Sequence, residues 1–273
     1  MELIEILKVV VLGIVEGVTE WLPISSTGHM LLVDEFIHMN VSESFKDMFF
    51  VVIQLGAILA VVMLFWDKMW PFQTKDKSKP VIRKDVFSMW FKVVVACIPG
   101  AIVTLLFDDY IEAHLHTPTV IALALVVYGV AFIVVENWNK NRTPKVLTLE
   151  DISYKTAFII GLFQVLSIIP GTSRSGSTII GALTIGVSRV AAAEFTFFLA
   201  VPVMIGLSFI KILKFGFSFT SVELITLAIG CVVAFLVSVL VIKFLMSYIE
   251  KRDFKIFGWY RIVLGVILLL YFM

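Results

Sequence analysis

The sequence predicts an all-α polytopic membrane protein. Of its 273 residues, 60% are hydrophobic and only 16% are charged, whereas an ordinary globular domain has about 25% charged residues. The apolar residues are gathered into uncharged runs, which reach the roughly 20 residues that a helix needs to cross a bilayer. A membrane β-barrel would instead show alternating segments of about 10 residues. These observations exclude a disordered chain and an ordinary soluble protein.

Six runs are predicted to be transmembrane helices. Three of them contain 19 residues without Lys, Arg, Asp or Glu: 48–66, 117–135 and 224–242. The other three are slightly shorter or carry one basic residue near an end, where a long side chain can reach the interface: 91–107, 195–210 and 256–273. The chain is therefore expected to form one integral membrane domain over residues 1–273.

Charge and cysteine content exclude several functions. The formal net charge is +1, so no general field exists to hold a polyanion, and no nucleic-acid partner is expected. Cys97 and Cys231 stand alone in separate apolar runs, which leaves neither a disulfide framework nor a cysteine-based metal cluster. No phosphate-binding loop, dinucleotide-binding glycine pattern or His-Glu-x-x-His motif is present.

Two further apolar regions, 6–40 and 156–190, are too polar for simple spans. The first region carries Glu16, Glu20 and His29, and the second carries Arg174. In each region a helical pattern meets proline, passes through hydroxyl residues and resumes. Irregular backbone at membrane depth must be buried in protein or line a polar cavity. The sequence therefore predicts two re-entrant helix pairs, where the function should be sought.

An internal repeat relates the two regions. When the chain is shifted by 148 residues, Glu16 meets Gln164 and Ser25 meets Ser173. Other matches at this offset are Gly13 with Gly161, Thr27 with Ser175, Gly28 with Gly176, and Phe49-Phe50 with Phe197-Phe198. We therefore expect one repeat at about 1–147 and a second at about 149–273.

Loop charge predicts that the repeats are inverted. The loop 67–90 contains Lys68, Lys75, Lys77, Lys79, Arg83 and Lys84. This loop, 137–155 and the segment near 251 are rich in Lys and Arg and should be cytoplasmic, whereas 108–118 has neither residue and should face outward. The 148-residue shift pairs inside loops with outside loops. The two hairpins should therefore enter from opposite faces and converge near the midplane.

The two carboxylates of the first hairpin indicate a metal-binding or catalytic role. Glu16 and Glu20 are four residues apart, so they share one helix face. Two carboxylates in an apolar setting need a cation or a shared proton, which indicates a divalent-metal site or a general acid and base. A hydrogen-bonded packing pair is the alternative, although intramembrane carboxylates are usually functional.

Hydroxyl residues and a histidine follow the first proline. Ser25, Ser26 and Thr27 could cap a new helix or bind an anion. Ser26 and His29 are three apart, so they could act as nucleophile and base, or His29 could attack beside a phosphate-binding serine. A hydrogen-bonded core histidine is the other interpretation of His29.

The second break suggests an anion cradle. Arg174 lies between Ser173 and Ser175, with Gly176 following, so guanidinium, hydroxyl and backbone N–H groups can face one phosphate. Alternatively, Arg174 reaches the surface or neutralises a glutamate. A rhomboid-like protease would not need this arginine, so the combination favours phosphoryl transfer from a lipid-linked phosphate. Among other polar residues, Arg189 and Glu194 are expected to form an interfacial pair, and Arg261, Lys243 and Gln54 to orient helices or line the cavity.

At the two breaks the sequence resembles a known family. Residues 16–29 and 170–176 are similar to the motifs of the undecaprenyl-diphosphate phosphatases, the bacitracin-resistance family of bacterial membrane enzymes. The resemblance runs the whole length, including 53–56 and 194–195. It implies hydrolysis of undecaprenyl diphosphate to undecaprenyl phosphate and inorganic phosphate, which recycles the lipid carrier for cell-wall synthesis and confers resistance to bacitracin. It also implies a site in the bacterial plasma membrane that opens to the extracytoplasmic side.

The resemblance further implies a divalent cation, Mg²⁺ or Ca²⁺, for which Glu16 and Glu20 are the candidate ligands. We expect Arg174 to bind the substrate phosphates with Ser25, Thr27, Ser173, Ser175 and Gly176. The nucleophile stays open between Ser26, His29 and water. A lipid-phosphate flippase or transporter is the alternative function, because inverted repeats with broken helices are a transporter architecture. The oligomeric state is also open, and a homodimer is one option.

Overall fold

The computed structural model describes residues 2–73, 80–115 and 117–272, in which the regular elements are helical. Lys75, Lys77 and Lys79 of the basic loop lie outside these ranges. The helices are α1 Leu3–Thr19, α2 Ser26–Ile37, α3 Glu43–Val52, α4 Gln54–Leu64, α5 Trp66–Met69, α6 Lys84–Leu115, α7 Pro118–Asn139, α8 Tyr154–Val165, α9 Arg174–Thr184, α10 Arg189–Phe215, α11 Ser221–Ile249 and α12 Lys255–Phe272. The prediction of an all-α protein is confirmed.

The predicted six spans are confirmed as well. Six helical segments of the described chain are long and apolar enough to cross a membrane: Glu43–Leu64, Lys84–Phe107, Pro118–Asn139, Arg189–Phe215, Ser221–Ile249 and Lys255–Phe272. The first is made of α3 and α4, which meet at Ile53. Pro99 and Pro202 lie inside α6 and α10 without ending either helix, as neighbouring helices permit in membrane proteins.

Each of the two polar regions forms a broken helix pair, as predicted. In the first hairpin, α1 ends at Thr19 and α2 begins at Ser26. In the second, α8 is followed by a short 3-10 turn at Leu166–Ile168, and α9 begins at Arg174. We call residues 20–25 the first break and residues 169–173 the second break. Ser25 of the first break and Thr172 of the second are buried, so both breaks lie inside the protein.

The two hairpins enter from opposite ends of the bundle. The start of α1 contacts the loop before α3, where Lys8 Nζ donates to the His38 carbonyl at 2.7 Å. The span α3–α4 then crosses to the other end, and Lys68 just beyond it pairs with Glu194 near the start of α10 at 2.6 Å. Because α9 leads directly into α10, the second hairpin has its open end there. This arrangement fits the predicted inverted repeat.

Helix packing follows the same pattern. The first hairpin helix α1 packs on α11, the corresponding α8 packs on α6, and α7 packs on α12. Glycines allow the close approaches: a Cβ added to Gly13 would lie 2.9 Å from the Val233 Cβ, and one added to Gly161 would lie 2.4 Å from the Ala96 carbonyl oxygen. Small residues at such contacts let membrane helices approach closely. The repeat boundaries themselves stay a prediction.

Salt bridges at the end with the basic loops differ from the expected pairing. Arg189 donates its Nε–H to Glu136 Oε1 at 2.9 Å rather than pairing with Glu194, which binds Lys68. Residues five apart on a helix do not share a face, whereas residues three or four apart do. The two residues therefore tie α10 to α7 and to the segment after α4. We call the end of the bundle that contains these two salt bridges and the loops rich in Lys and Arg the basic end.

Candidate active site

The two breaks meet at Glu20. Its Oε1 accepts a hydrogen bond and ion pair from Arg174 Nη2 at 3.0 Å. Its backbone carbonyl accepts a second hydrogen bond from Ser175 Oγ at 3.1 Å. Glu20 directly follows α1 and Arg174 begins α9, so residues more than 150 positions apart converge. The expectation that the hairpin tips approach each other is met at this point.

The other oxygen of Glu20 faces a hydroxyl group. Ser26 Oγ donates to Glu20 Oε2 at 2.6 Å. Glu20 therefore holds Ser26 with one carboxylate oxygen and Arg174 with the other. A hydroxyl hydrogen-bonded to a carboxylate is a nucleophile beside a base, and a guanidinium beside both can hold an anion.

Backbone conformation explains how these side chains are presented. Ser25 and Ser173, the residues before α2 and α9, have φ of 77° and 73°, a left-handed region that costs a non-glycine residue free energy. Each caps its helix: Ser25 Oγ accepts from the Gly28 N–H at 3.3 Å, and Ser173 Oγ accepts from the Gly176 N–H at 3.1 Å. The capping interpretation therefore holds for Ser25, and Ser173 makes the same cap at the second break although none was predicted there. The backbone strain at both serines is of the kind found at functional sites.

Not all N–H donors of Arg174 have hydrogen-bond partners among the described residues. Its Nη1 donates to the Thr196 carbonyl at 3.0 Å, which fixes the guanidinium against α10. Its Nε is buried and has no hydrogen-bond partner among the described residues. Since arginine carries five N–H donors, a phosphate could bind Arg174 without displacing the Thr196 contact. Thr196 carries no signal in the sequence, because its backbone carbonyl makes the contact.

Glu16 lies one turn before Glu20 and is 1% exposed. It interacts electrostatically with Glu20 and Arg174, and its Oε1 has no hydrogen-bond partner within the described ranges. An orphaned buried carboxylate oxygen needs a proton or a cation. Mg²⁺ is commonly bound by one or two carboxylates, with waters and substrate phosphates completing its shell. The chemistry of this carboxylate pair therefore fits a divalent cation, and its presence stays a prediction.

His29 has partners other than Ser26. Its Nδ1 lies 2.7 Å from the Ser25 carbonyl and its Nε2 lies 2.7 Å from the Tyr260 hydroxyl. A carbonyl can only accept, so Nδ1 carries hydrogen, and in the neutral ring Nε2 accepts from Tyr260. Both ring nitrogens are thus engaged, while Ser26 turns to Glu20. Sequence reasoning missed Tyr260, since a tyrosine in an apolar span carries no distinctive signal.

A cavity of about 480 Å³ opens at this point. Its polar wall contains six of the residues singled out in the sequence: Glu20, Ser25, Ser26, Thr27, Ser173 and Arg174. Gln54 also lines the cavity, as expected. The described residues that line the cavity do not include Glu16, His29, Ser175 or Gly176. The Gly176 N–H already binds the Ser173 side chain. Phosphate contacts by Ser175 and Gly176 stay predictions.

The opposite wall of the cavity is apolar and comes from α6 and α10. It includes Leu105, Ile111, Val203, Leu207 and Ile210. Leu105 is 77% exposed on the outside of the bundle, so the cavity extends to the surface that faces lipid. A single cavity thus joins an ionic end to a hydrocarbon end, as a lipid with a charged headgroup requires.

Comparison with known proteins agrees with this geometry. The family described as bacitracin resistance protein BacA matches residues 9–267, which include both breaks and both walls of the cavity. The chain belongs to the BacA family. The family resemblance noted in the sequence is thereby confirmed.

Curated members of the BacA family cover almost the whole chain. An Enterococcus faecalis protein is 74% identical over 270 residues, which are 99% of this chain and 98% of the relative. Proteins of Lachnoclostridium phytofermentans and Desulfitobacterium hafniense are each 61% identical over 273 residues, covering 100% of this chain and 99% and 98% of the relatives. All three relatives are named undecaprenyl-diphosphatase.

Proposed function

We propose that this chain hydrolyses undecaprenyl diphosphate to undecaprenyl phosphate and inorganic phosphate. The observation that carries the proposal is the Glu20 carboxylate, which binds the Ser26 hydroxyl on one oxygen and Arg174 on the other. The names of the relatives supply the substrate. The reaction returns the lipid carrier to cell-wall synthesis, and it removes the diphosphate form that bacitracin binds.

Substrate binding uses both walls of the cavity. The lipid chain lies along the apolar residues of α6 and α10, and the diphosphate lies at the breaks. Arg174 binds phosphate oxygens through N–H donors not committed to Glu20 or Thr196, and charge-assisted bonds of this kind are strong. The hydroxyl groups of Ser25, Thr27 and Ser173 line the same wall and orient the terminal phosphate. Positioning and charge neutralisation are the main requirements of phosphoryl transfer.

Ser26 is the nucleophile in the mechanism that the geometry supports best. Its Oγ attacks the terminal phosphorus, its proton passes to Glu20 Oε2, and the bond from phosphorus to the bridging oxygen breaks, releasing undecaprenyl phosphate. Water then attacks the phosphoserine. Glu20 returns its proton to the departing Ser26 oxygen, and inorganic phosphate leaves with the protons of the water molecule. The contact of 2.6 Å between Ser26 Oγ and Glu20 Oε2 supports this assignment.

His29 acts as a positioning residue in this scheme. Its Nδ1–H holds the Ser25 carbonyl, next to the nucleophile, and Tyr260 holds its Nε2. A phosphohistidine would require the ring to give up one of these partners. His29 therefore positions the backbone next to Ser26 and does not contact the phosphate.

Glu16 and Glu20 would hold a divalent cation. Mg²⁺ is commonly bound by one or two protein carboxylates together with waters and substrate phosphates, whereas Ca²⁺ takes 6–8 oxygen ligands, so the two carboxylates suit Mg²⁺ better than Ca²⁺. When bound, the cation supplies charge neutralisation for the diphosphate. Removing it with a chelator should abolish activity, and adding Mg²⁺ should restore it.

We place the site at the extracytoplasmic face of the bacterial plasma membrane. The apolar wall includes Ile111 and Ile210, which lie near the ends of α6 and α10 remote from the basic end. Lys and Arg concentrate in cytoplasmic loops. The cavity therefore opens toward the outer face, where the diphosphate would be encountered.

The decisive experiment follows release of terminally labelled phosphate from undecaprenyl diphosphate by purified protein in detergent, with and without chelator. We expect metal-dependent release and, in quenched samples, acid-stable label on Ser26. Acid-labile label would instead assign the nucleophile to His29, and release without any protein label would assign it to water. Transport of the lipid between leaflets without phosphate release would favour the flippase, which needs no hydroxyl beside a carboxylate.

A further inference from the structure

A second arginine lies behind the two breaks. Arg261, on α12, has 0% of its surface exposed. None of the ion pairs formed within residues 2–73, 80–115 and 117–272 involves it, and the Tyr128 ring lies 5.6 Å from its guanidinium carbon. A buried cation without a carboxylate is costly unless its hydrogen atoms find acceptors. Arg261 finds them in the backbone.

Five carbonyl groups surround the guanidinium. One belongs to the first break: Nη1 donates to the Pro23 carbonyl at 3.1 Å. Two belong to the second break: Nη2 donates to the Gly171 and Thr172 carbonyls at 2.9 Å each. The remaining two are longer contacts of 3.4 Å with the Leu125 and Ala124 carbonyls of α7. One side chain therefore bridges both breaks and ties them to α7 and α12.

The carbonyls that Arg261 binds lie close to the proposed reacting groups. Pro23 precedes Ser26 by three residues, and Thr172 precedes Arg174 by two. The second break is also confined from the other side, because a Cβ added to Gly171 would lie 2.5 Å from the Ile121 carbonyl oxygen of α7. A change in the guanidinium would move the nucleophile and the phosphate clamp relative to each other.

We infer that Arg261 is the positioning residue that sets the distance between the two breaks. This inference rests on the proposed function, in which Ser26 and Arg174 must reach the same phosphate. Arginine suits the task because its planar fork presents donors in several directions at once. Lysine keeps the charge, but its compact ammonium group cannot reach both Pro23 and Thr172 in the same way.

The test compares Arg261→Lys with Arg189→Lys. Arg189 is a matched control, because it also joins two spans through α10 but binds the Glu136 side chain at the basic end. Phosphate release gives kcat and KM, each per folded protein from thermal melts. A third variant, Arg261→Ala, is assayed with and without millimolar guanidinium, which can occupy the space that the side chain leaves.

A native cysteine provides a readout independent of turnover. Cys97 lines the cavity, whereas Cys231 lies against the Val52 carbonyl away from it. In a Cys231→Ala background, the rate at which a small thiol reagent modifies Cys97 reports the shape of the cavity. The rate should change several-fold in Arg261→Lys and stay at the parent value in Arg189→Lys.

We expect Arg261→Lys to lower kcat by about 100-fold, the effect of a misplacement near 1 Å, with KM changed less than kcat. Guanidinium should restore part of the activity of Arg261→Ala. The inference is overturned if Arg261→Lys keeps the parent kcat and Cys97 rate, or if its loss matches that of Arg189→Lys and follows the unfolded fraction. Wild-type protein that releases no phosphate would overturn the proposed function instead, and the Cys97 rates would still test the spacing.

Discussion

The first and second breaks share a backbone but differ in chemistry. In both, a serine with φ near 75° caps the following helix through a glycine N–H three residues on. The residue after this serine, which begins the next helix, is Ser26 in the first hairpin and Arg174 in the second, 148 positions later. Both donate to the same carboxylate, Glu20. One local geometry, used twice, thus brings a hydroxyl and a guanidinium to a single acceptor from opposite sides.

A second difference concerns the helices before the breaks. Glu16 in α1 corresponds to Gln164 in α8, and both are buried with a side-chain oxygen that lacks a partner among the described residues. The amide is neutral, so the second hairpin adds no further negative charge beside Glu16 and Glu20. Within the two hairpins, the buried carboxylates Glu16 and Glu20 come from the first, and Arg174, which pairs with Glu20, comes from the second. The repeat divides the chemistry between its halves.

The largest loss of activity should come from removing the hydroxyl group of Ser26, which directly follows the first break. Ser26→Ala removes the proposed nucleophile, and we expect kcat to fall by roughly 10⁴-fold or more, since loss of a covalent nucleophile removes the whole pathway. Cys97→Ala is the control, because Cys97 also lines the cavity but has no role in the proposed mechanism. Phosphate release at saturating substrate measures both. A Ser26→Ala variant within tenfold of wild type would leave only water or His29 as the nucleophile.

Removal of the shared acceptor should have the next effect. Glu20→Gln keeps the size of the side chain but takes away the base and the partner of Arg174, so we expect kcat to drop by about 10²- to 10⁴-fold. Glu194→Gln is a matched control, since Glu194 is also a buried carboxylate paired with a cation, Lys68. Equal losses in the two variants would indicate a general effect of removing buried ion pairs.

Activity should also depend on the shape of the Arg174 side chain, which follows the second break, and not only on its charge. Arg174→Lys keeps one positive charge but loses the planar fork that holds Glu20, Thr196 and a phosphate together. We expect KM to rise and kcat to fall, with kcat/KM lowered by about 10²-fold. Initial rates over a range of lipid concentrations measure both. Unchanged KM with lowered kcat would mean that Arg174 serves only to neutralise Glu20.

The smallest expected effect is a loss of thermal stability when either capping serine is removed, and it should be similar for the two breaks. Ser25→Ala and Ser173→Ala each remove a helix cap, which costs roughly 0.5–2 kcal/mol, while the strained φ remains. We expect similar shifts in thermal midpoint for the two variants. A calorimetric or fluorescence melt in detergent checks this. A much larger shift for one variant would show that the two breaks are not equivalent in the way their backbones suggest.

The sequence was sufficient to predict the spans, the broken helices and the approach of the two hairpin tips, whereas the pairing of Arg174 with Glu20 was only the alternative interpretation of that arginine. Long apolar runs and prolines followed by hydroxyl residues are strong local signals. Charged residues inside a membrane domain are also informative, because few can be accommodated there. The spans and the breaks could be predicted because they depend on the local order of apolar, polar and charged residues, which can be read from the sequence.

Side-chain partners were harder to predict. Arg189 binds Glu136 rather than Glu194, and His29 binds Tyr260 rather than Ser26. Such contacts join residues 53 and 231 positions apart, and they depend on how each helix is rotated about its axis. The apolar pattern of a membrane helix sets that rotation weakly, because lipid-facing and core-facing positions are both hydrophobic. Arg261 could therefore be recognised as a helix-orienting residue but not as a link between the breaks.

The apolar wall on α6 and α10 has a consequence for the thermodynamics of turnover. Moving a lipid chain from the bilayer into water costs about 0.8 kcal/mol for each methylene group, which no phosphate site could recover for a polyprenyl chain. A cavity that extends to exposed Leu105 lets the chain stay in hydrocarbon throughout. The relevant substrate concentration is then the mole fraction of lipid within the membrane, so diluting the substrate with inert lipid should slow the reaction even when the amount per volume is constant.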